Sequence, residues 1–264
     1  MQADLDESKS CVVLEKLLRT AGDAALAHFR SAVAETKQDS TPVTVADRAA
    51  EAVLVEGLGA MFPEDSIVSE EGAGSDGSSG RCWYVDPIDG TAAFLEGLAH
   101  WGPVVGCMDE HGPVEGAVLM PHTGDFFWAR RGQGAWLNGK KLPRLSGEPA
   151  SPQSVIYVPS RFHQYVSFNF EGKLRSLGGT AAHLSLVAAG SAVGAMVPAG
   201  WKLWDVVGPF CLLSEVGAVA AGMINSELDL RIHPSQAFAV GHPSLLRTHL
   251  GASRLQMRQR DSVK

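Results

Sequence analysis

The sequence predicts a mixed α/β protein, built as one large unit or as two intimately packed halves. Three patterns predict it: helical periodicity in the first sixty residues, short apolar runs separated by turn residues in the middle, and alternating strand-like and helix-like segments after residue 152. At 264 residues each half can bury a sizeable core, so disulfides are not needed. The four cysteines, Cys11, Cys82, Cys107 and Cys211, sit in mostly apolar or helical surroundings without a C-x-x-C pair, which predicts reduced core thiols and no zinc site.

Taken in order, residues 8–34 place Leu14, Leu17, Leu18, Ala21, Ala25 and Phe29 at helical spacing, the pattern of an amphipathic helix. A polar stretch, 35–41, leads through Pro42-Val43-Thr44-Val45-Ala46-Asp47 into a second helix carrying Ala50, Val53, Leu54, Gly57, Leu58 and Met61. Asp47 lies near that helix's start, where it can act as a cap. Ser66-Ile67-Val68 reads as a strand running into Ser69-Glu70-Glu71-Gly72. The Gly/Ser/Asp tract 74–80 is too polar to pack and reads as a flexible loop.

Cys82-Trp83-Tyr84-Val85 is a second strand, ending at Asp86-Pro87-Ile88-Asp89-Gly90-Thr91, with helical turns over 91–95. Runs at 104–107, 114–119, 126–129 and 135–137, punctuated by turn residues such as Asn138-Gly139, predict an antiparallel meander. The Pro/Ser/Gly/Ala-rich stretch 145–152 marks a boundary, giving halves 1–148 and 149–264. Beyond it the pattern predicts strands at 154–158, 195–197 and 238–241, helices at 180–189, 204–216 and 244–250, and a frayed tail after residue 253. There is neither an internal repeat nor a heptad pattern.

A net charge of −7 disfavours a nucleic-acid partner, since a polyphosphate backbone is bound by a basic face. No basic-then-apolar leader opens the chain and no run approaches about eighteen apolar residues, so a soluble cytoplasmic enzyme without membrane contact is expected.

The hexapeptide at 86–91 carries the chemistry, and it has three readings. Asp-Pro and Asp-Gly are ordinary turn dipeptides. A D-x-D nucleophile loop would use its first aspartate to attack phosphorus, but here two residues separate the aspartates and Pro87 stiffens the first step. A two-metal cluster uses the spacing better: Asp86 can bridge two ions, Asp89 can turn back onto one, and the Ile88 carbonyl adds a neutral oxygen. Gly90 lets the backbone approach a phosphate, and N–H groups opening the next helix face the anion. The Thr91 hydroxyl is placed either to hold a water or to cap the helix. Glu70-Glu71 would ordinarily be a solvated pair, but two parallel strands ending in acids would gather their carboxylates at one sheet edge. Asp205, in Leu203-Trp204-Asp205, opens an apolar helix and reads alone as a cap.

Together these pieces resemble the inositol monophosphatase family, magnesium-dependent and lithium-sensitive phosphomonoesterases related to fructose-1,6-bisphosphatase. The resemblance rests on Pro42-Val43-Thr44 through Asp47, Ser69-Glu70-Glu71-Gly72, Trp83 through Thr91, Gly132-Gln133-Gly134-Ala135-Trp136-Leu137-Asn138-Gly139, and Trp204-Asp205, in that order. It implies a layered αβαβα sandwich, with an α+β first half, an α/β second half and the metal site between them. It further implies two to three Mg2+ ions, with Glu70, Asp86 and the Ile88 carbonyl on the first and Asp86, Asp89 and Asp205 on the second. Glu70 and Thr91 would orient the attacking water, with Asp47 bonded to the Thr91 hydroxyl, and the Gly90 and Thr91 N–H groups would bind phosphate. A homodimer is implied by the same analogy.

Substrate is where the chain departs from the inositol-specific members. They carry an acid about seven positions before the Trp-Asp aspartate, whereas Met196-Val197-Pro198-Ala199-Gly200-Trp201 has none. That weakens inositol as the substrate, because losing a partner for substrate hydroxyls costs discrimination. Pro198 and Trp201 are expected to form the substrate wall and Phe94 to Trp101 to add aromatic surface, against the alternative that tryptophans are more often core than pocket; His183 is either a packing or solvated residue or, near the turn where the family makes substrate contacts, adjoins that wall. Histidinol phosphate and nucleotide 3′-phosphates compete with inositol phosphate. A non-catalytic phosphate-binding or regulatory protein on the same scaffold is the alternative of a different class.

Overall fold

The structure, a computed structural model, describes residues 7–31, 35–36, 42–147, 150–164, 166–167, 170–222, 228, 230, 236–245 and 256–257. The end of the first expected helix (32–34), part of the polar stretch (37–41), most of the last expected helix (246–250) and the tail after 257 lie outside them.

Helix α1 (Glu7–Leu26) buries Leu14, Leu18, Ala21 and Ala25 along one face, and α2 (Val45–Met61) buries Ala46, Ala50, Leu54 and Leu58 against it. The first helix is shorter than its periodicity predicts, because the chain turns over 27–31 and Arg30 takes a left-handed backbone (φ 62°). Phe29 thereby leaves the helix stripe and packs against Phe94, Trp101 and His122, with ring centroids 5.5, 5.3 and 5.4 Å away. The second helix starts as a capping box: Thr44 is the N-cap, and Asp47 Oδ2 accepts from the Thr44 N–H and hydroxyl, each at 2.7 Å.

Both helices cover one face of an eight-stranded sheet. Its strand order is Lys140–Lys141, Gly134–Leu137, Asp125–Arg130, Gly112–Met120, Gly102–Asp109, Cys82–Asp89, Ser66–Ser69 and Gly74–Ser75. The meander is antiparallel throughout, and its last hairpin turns on Asn138 (φ 50°) and Gly139 (φ 75°), the left-handed pair that matches strand twist. The one parallel pair is Ser66–Ser69 with Cys82–Asp89.

Two expectations change here. The Gly/Ser/Asp tract is not a free loop: Gly74–Ser75 pairs with Ile67 and Val68, and the Ser78 and Ser79 N–H groups donate to the Glu64 carbonyl. Buried Asp65 anchors it further, accepting from Ser79 Oγ (2.6 Å), Arg81 Nε (3.0 Å) and Trp83 Nε1 (3.0 Å), so polar side chains are satisfied by one buried carboxylate instead of by water. The strand at 82 also does not stop before the aspartates. It continues to Asp89 through a bulge, with Asp86 opposite Val104 and Asp89 opposite Gly102, and the bulge accommodates Pro87, which cannot donate to the ladder.

A five-stranded sheet follows, ordered Lys173–Arg175, Val155–Tyr157, Gly194–Val197, Phe238–Gly241 and Val219–Gly222. Its first three strands are parallel and its last two join antiparallel. Helices α4 (Thr180–Ala188) and α5 (Leu203–Glu215) lie between the two sheets, where Val104, Val118 and Phe127 of the large sheet share a core with Ala181, Leu184, Val206, Leu212, Val240 and Phe238. Helix α5 reaches the large sheet at a contact of three glycines. A Cβ on Gly106 or Gly116 would come within 2.3 Å of the Gly208 backbone, so only bare backbone allows this approach. The layers run helices, large sheet, helices, small sheet, with Leu245 of the short helix Pro243–Leu245 packed on the outer face.

Candidate active site

The parallel strand pair and the start of α5 converge on one acidic centre. Register sets Ser69 beside Val85, and the Glu70 N–H donates to the Val85 carbonyl at 3.1 Å, so Glu70 comes level with Asp86. The bulge then brings Asp89 to the same place, and the glycine contact delivers Asp205 from α5. Asp86, Asp89 and Asp205 each offer a carboxylate oxygen within 4.8 Å of the others.

Such crowding is electrostatically costly. Asp86, 2 % exposed, is pushed well above the usual carboxylate range by burial, then by the charges of Glu70, Asp89 and Asp205. Burial raises Asp89 to about 8, Asp205 adding to the shift and the N–H groups at the start of α4 opposing it. Burial also raises Asp205 to about 7, with the Lys202 N–H opposing and Glu70 adding. Buried like charges need protons or a cation. The donors are all oxygen, the set that suits a hard divalent ion such as Mg2+ and does not suit zinc or copper. The residues present therefore fit the metal that the sequence implies.

The local bonds show what holds each side chain. Asp86 Oδ1 accepts the Ile88 N–H at 2.9 Å, closing a turn across Pro87. Asp89 accepts the N–H groups of Thr180 (3.0 Å), Ala181 (2.9 Å) and Ala182 (3.4 Å), capping α4 from a strand of the large sheet. Asp205 Oδ2 accepts the Lys202 N–H at 2.8 Å, so this residue is a cap and a member of the acidic centre at once. Thr91 does not cap its helix. Gly90 occupies the cap position of α3 (Thr91–Leu95), and the Thr91 hydroxyl is shared between the Ile88 carbonyl (3.2 Å) and Asp47 Oδ1 (3.5 Å). Asp47 is itself raised, burial outweighing its bonds from Thr44.

Sequence reasoning missed Gly179. A Cβ there would stand 1.9 Å from Asp89 Oδ2, and a Cβ on Gly90, whose φ is 86°, would stand 2.8 Å from Gly179. The doublet Gly178-Gly179 was the available signal, but what it makes room for lies ninety residues earlier.

The expected substrate residues separate. His183 and Pro198 line one cleft of about 190 Å³, with Pro159, Ser160, Thr180 and Met196. Trp201 is 3 % exposed and packs edge-on against Phe238, its indole N–H donating to the Gln236 carbonyl at 2.9 Å. Phe94 and Trp101 are fully buried, and the aromatic surface expected of them is core instead.

Known proteins agree with this architecture. The inositol monophosphatase family matches the chain over residues 6–257. A histidinol-phosphatase from Chlorobaculum parvum is 31% identical over 212 residues, covering 76% of this chain and 81% of the relative. A fructose-1,6-bisphosphatase/inositol-1-monophosphatase from Aquifex aeolicus is 32% identical over 196 residues, covering 70% and 74%. Among solved structures, an IMPase from Thermotoga maritima superposes with a TM-score of 0.79 at 23% identity, over 90% of this chain and 94% of that one, a likeness of fold. Among the described residues, no helix is long and apolar enough to cross a membrane. On this match, the chain belongs to the inositol monophosphatase family of metal-dependent phosphatases.

Proposed function

We propose that the chain is a Mg2+-dependent phosphomonoesterase acting on a small phosphorylated alcohol. The observation that carries the reading is the carboxylate triad of buried Asp86 and Asp89 and half-buried Asp205, with Glu70 and the Thr91–Asp47 pair at its edge. Glu70, Asp86 and the Ile88 carbonyl would hold one ion, and Asp86, Asp89 and Asp205 another. Bound ions would supply positive charge for the phosphate and lower the pKa of nearby water by several units.

The chain's own groups do the rest. When the Thr91 hydroxyl donates to Asp47, its oxygen is left to accept a hydrogen bond from water. Together with Glu70 it aims that water's lone pair at phosphorus. The backbone N–H groups of Gly90 and Thr91 would receive phosphate oxygens. An in-line attack by water forms one P–O bond as the ester P–O bond breaks and requires no phosphoenzyme; the leaving alkoxide takes a proton from water and departs as the alcohol toward the cleft at His183 and Pro198. Trp201 supports that wall from the core. A non-catalytic phosphate-binding protein would not need all of Asp47, Glu70, Asp86, Asp89 and Asp205. Homodimerisation, lithium inhibition and a cytoplasmic location belong to the same reading.

The test is phosphate release from inositol-1-phosphate, histidinol phosphate, fructose-1,6-bisphosphate and adenosine 3′,5′-bisphosphate, with Mg2+ or with a chelator. Turnover that needs Mg2+ is expected, without a wide preference for inositol-1-phosphate. Turnover unaffected by chelation, or none on any ester, would overturn the reading.

A further inference from the structure

One buried ring faces the cleft beside the acidic centre. His183, 4 % exposed on α4, stacks flat on Tyr157, with centroids 5.1 Å apart and planes 5° from parallel. The Leu177 N–H donates to its Nε2 at 2.9 Å, so Nε2 is an acceptor and the proton of the neutral ring sits on Nδ1. Burial, with His100 adding, lowers its pKa to about 4, which keeps the ring neutral at physiological pH.

Nδ1 has no acceptor among the described residues. Nor is it one of the sealed polar atoms, as Ser69 Oγ, Trp101 Nε1 and Ser185 Oγ are, so it keeps some exposure on a ring that lines the cleft. The same cleft adjoins the acidic centre through Thr180, whose N–H donates to Asp89 Oδ1. Its remaining wall is apolar at Pro159, Met196, Val197 and Pro198 and polar at Ser160, whose hydroxyl is already bonded to Ser176 Oγ at 3.2 Å, and among the described lining residues no carboxylate stands ready for a cationic group. A phosphate at the acidic centre would therefore place the alcohol portion against a fixed, uncharged donor.

We propose that His183 is a specificity-determining residue, its Nδ1–H donating to a hydroxyl oxygen on the alcohol portion of the substrate. The preferred class is then uncharged, hydroxylated alcohol phosphates. This rests on the phosphomonoesterase reading above. A donor buried to meet a substrate oxygen rejects esters that lack one, because the donor is then left unpaired.

The test compares inositol-1-phosphate and glycerol phosphate with phenyl phosphate, which has no hydroxyl to offer. His183→Phe keeps the stacked ring and removes both nitrogens. His183→Gln restores an acceptor for the Leu177 N–H only, and His183→Asn places an amide donor near the position of Nδ1. Phe and Gln should lower kcat/KM for the hydroxylated esters about tenfold, chiefly through KM, and leave phenyl phosphate within about twofold, while Asn recovers most of the loss. Equal losses on all three esters, or recovery by Gln and not Asn, would assign His183 to holding Leu177 and overturn the proposal. Wild-type turnover of histidinol phosphate with none of these three would overturn the proposal and leave the phosphomonoesterase reading standing, whereas no turnover of any ester, histidinol phosphate, fructose-1,6-bisphosphate and adenosine 3′,5′-bisphosphate included, would overturn that reading first.

Discussion

The acidic centre and the cleft beside it lie against each other, yet they are built in different ways. Asp86 and Asp89 are neighbours on one strand, and Glu70 ends the strand paired parallel to it, so three of the four central acids are set by local chain and one register. The cleft draws on segments at 159–160, 178–183 and 196–198, which meet only after the small sheet has packed through α4. Chemistry here is written in a motif, and selectivity in tertiary packing. Substitutions should divide accordingly: damage to the acidic centre lowers turnover of every ester, and damage to the cleft separates one ester from another.

The largest effect should come from Asp89→Asn. Its amide oxygen can still accept the Ala181 and Ala182 N–H groups while the Thr180 bond is given up, so the fold should stand, but the loss of one negative oxygen donor should lower Mg2+-dependent turnover on the order of a thousandfold. Steady-state assays should show equal losses on inositol-1-phosphate and phenyl phosphate. A loss confined to one of them would erase the division between the two regions.

Gly179→Ala should act next, and it tests the boundary itself. The new methyl would overlap Asp89 Oδ2, pushing the carboxylate off the α4 amides. The Mg2+ concentration for half-maximal rate should rise about tenfold, the size expected when support behind a ligand is lost. Gly59→Ala is the control, because Gly59, like Gly179 (φ −64°), has no left-handed backbone, and the nearest atom to its Cβ position, Ile67 Cδ1, stands at an ordinary 3.9 Å. An unchanged Mg2+ requirement in Gly179→Ala, measured by titrating activity, would separate α4 from the acidic centre.

The same contrast explains what could be read from the chain. Helical periodicity located α2, α4 and α5, and the alternation of runs and turn residues located the meander, because each pattern reports a face that one neighbour buries. Strand-then-acid at Glu70 and Asp86 was legible for the same reason. Pro87 misled the reading of where the strand ends, since its effect depends on a bulge that only the partner strand reveals. Polarity misled the reading of the 74–80 tract, because Asp65 satisfies it from beneath. Tryptophan is more often core than pocket, and Trp101 is core, with Phe29, having left its helix, packed on it and on Phe94. The meeting of Gly106, Gly116 and Gly208 carries no local signal, and the doublet Gly178-Gly179 signals a turn without telling that Gly90 and Asp89 are what it meets.

If Asp86, Asp89 and Asp205 form a divalent-cation site, thermal unfolding across pH 5 to 9 should respond to Mg2+. In the metal-free protein Asp89 and Asp205 are raised to about 8 and about 7, from an ordinary value of 3.8. Between the ordinary and raised values the folded state holds protons that the unfolded state has released, so these groups make stability fall as pH rises, up to about 8. Magnesium should offset that fall, raising Tm clearly at pH 8.5 and little at pH 5, where protons already neutralise the centre. Asp89→Asn should shrink the Mg2+ effect. A Tm that ignores Mg2+ at pH 8.5, or a shift that survives intact in Asp89→Asn, would contradict the account.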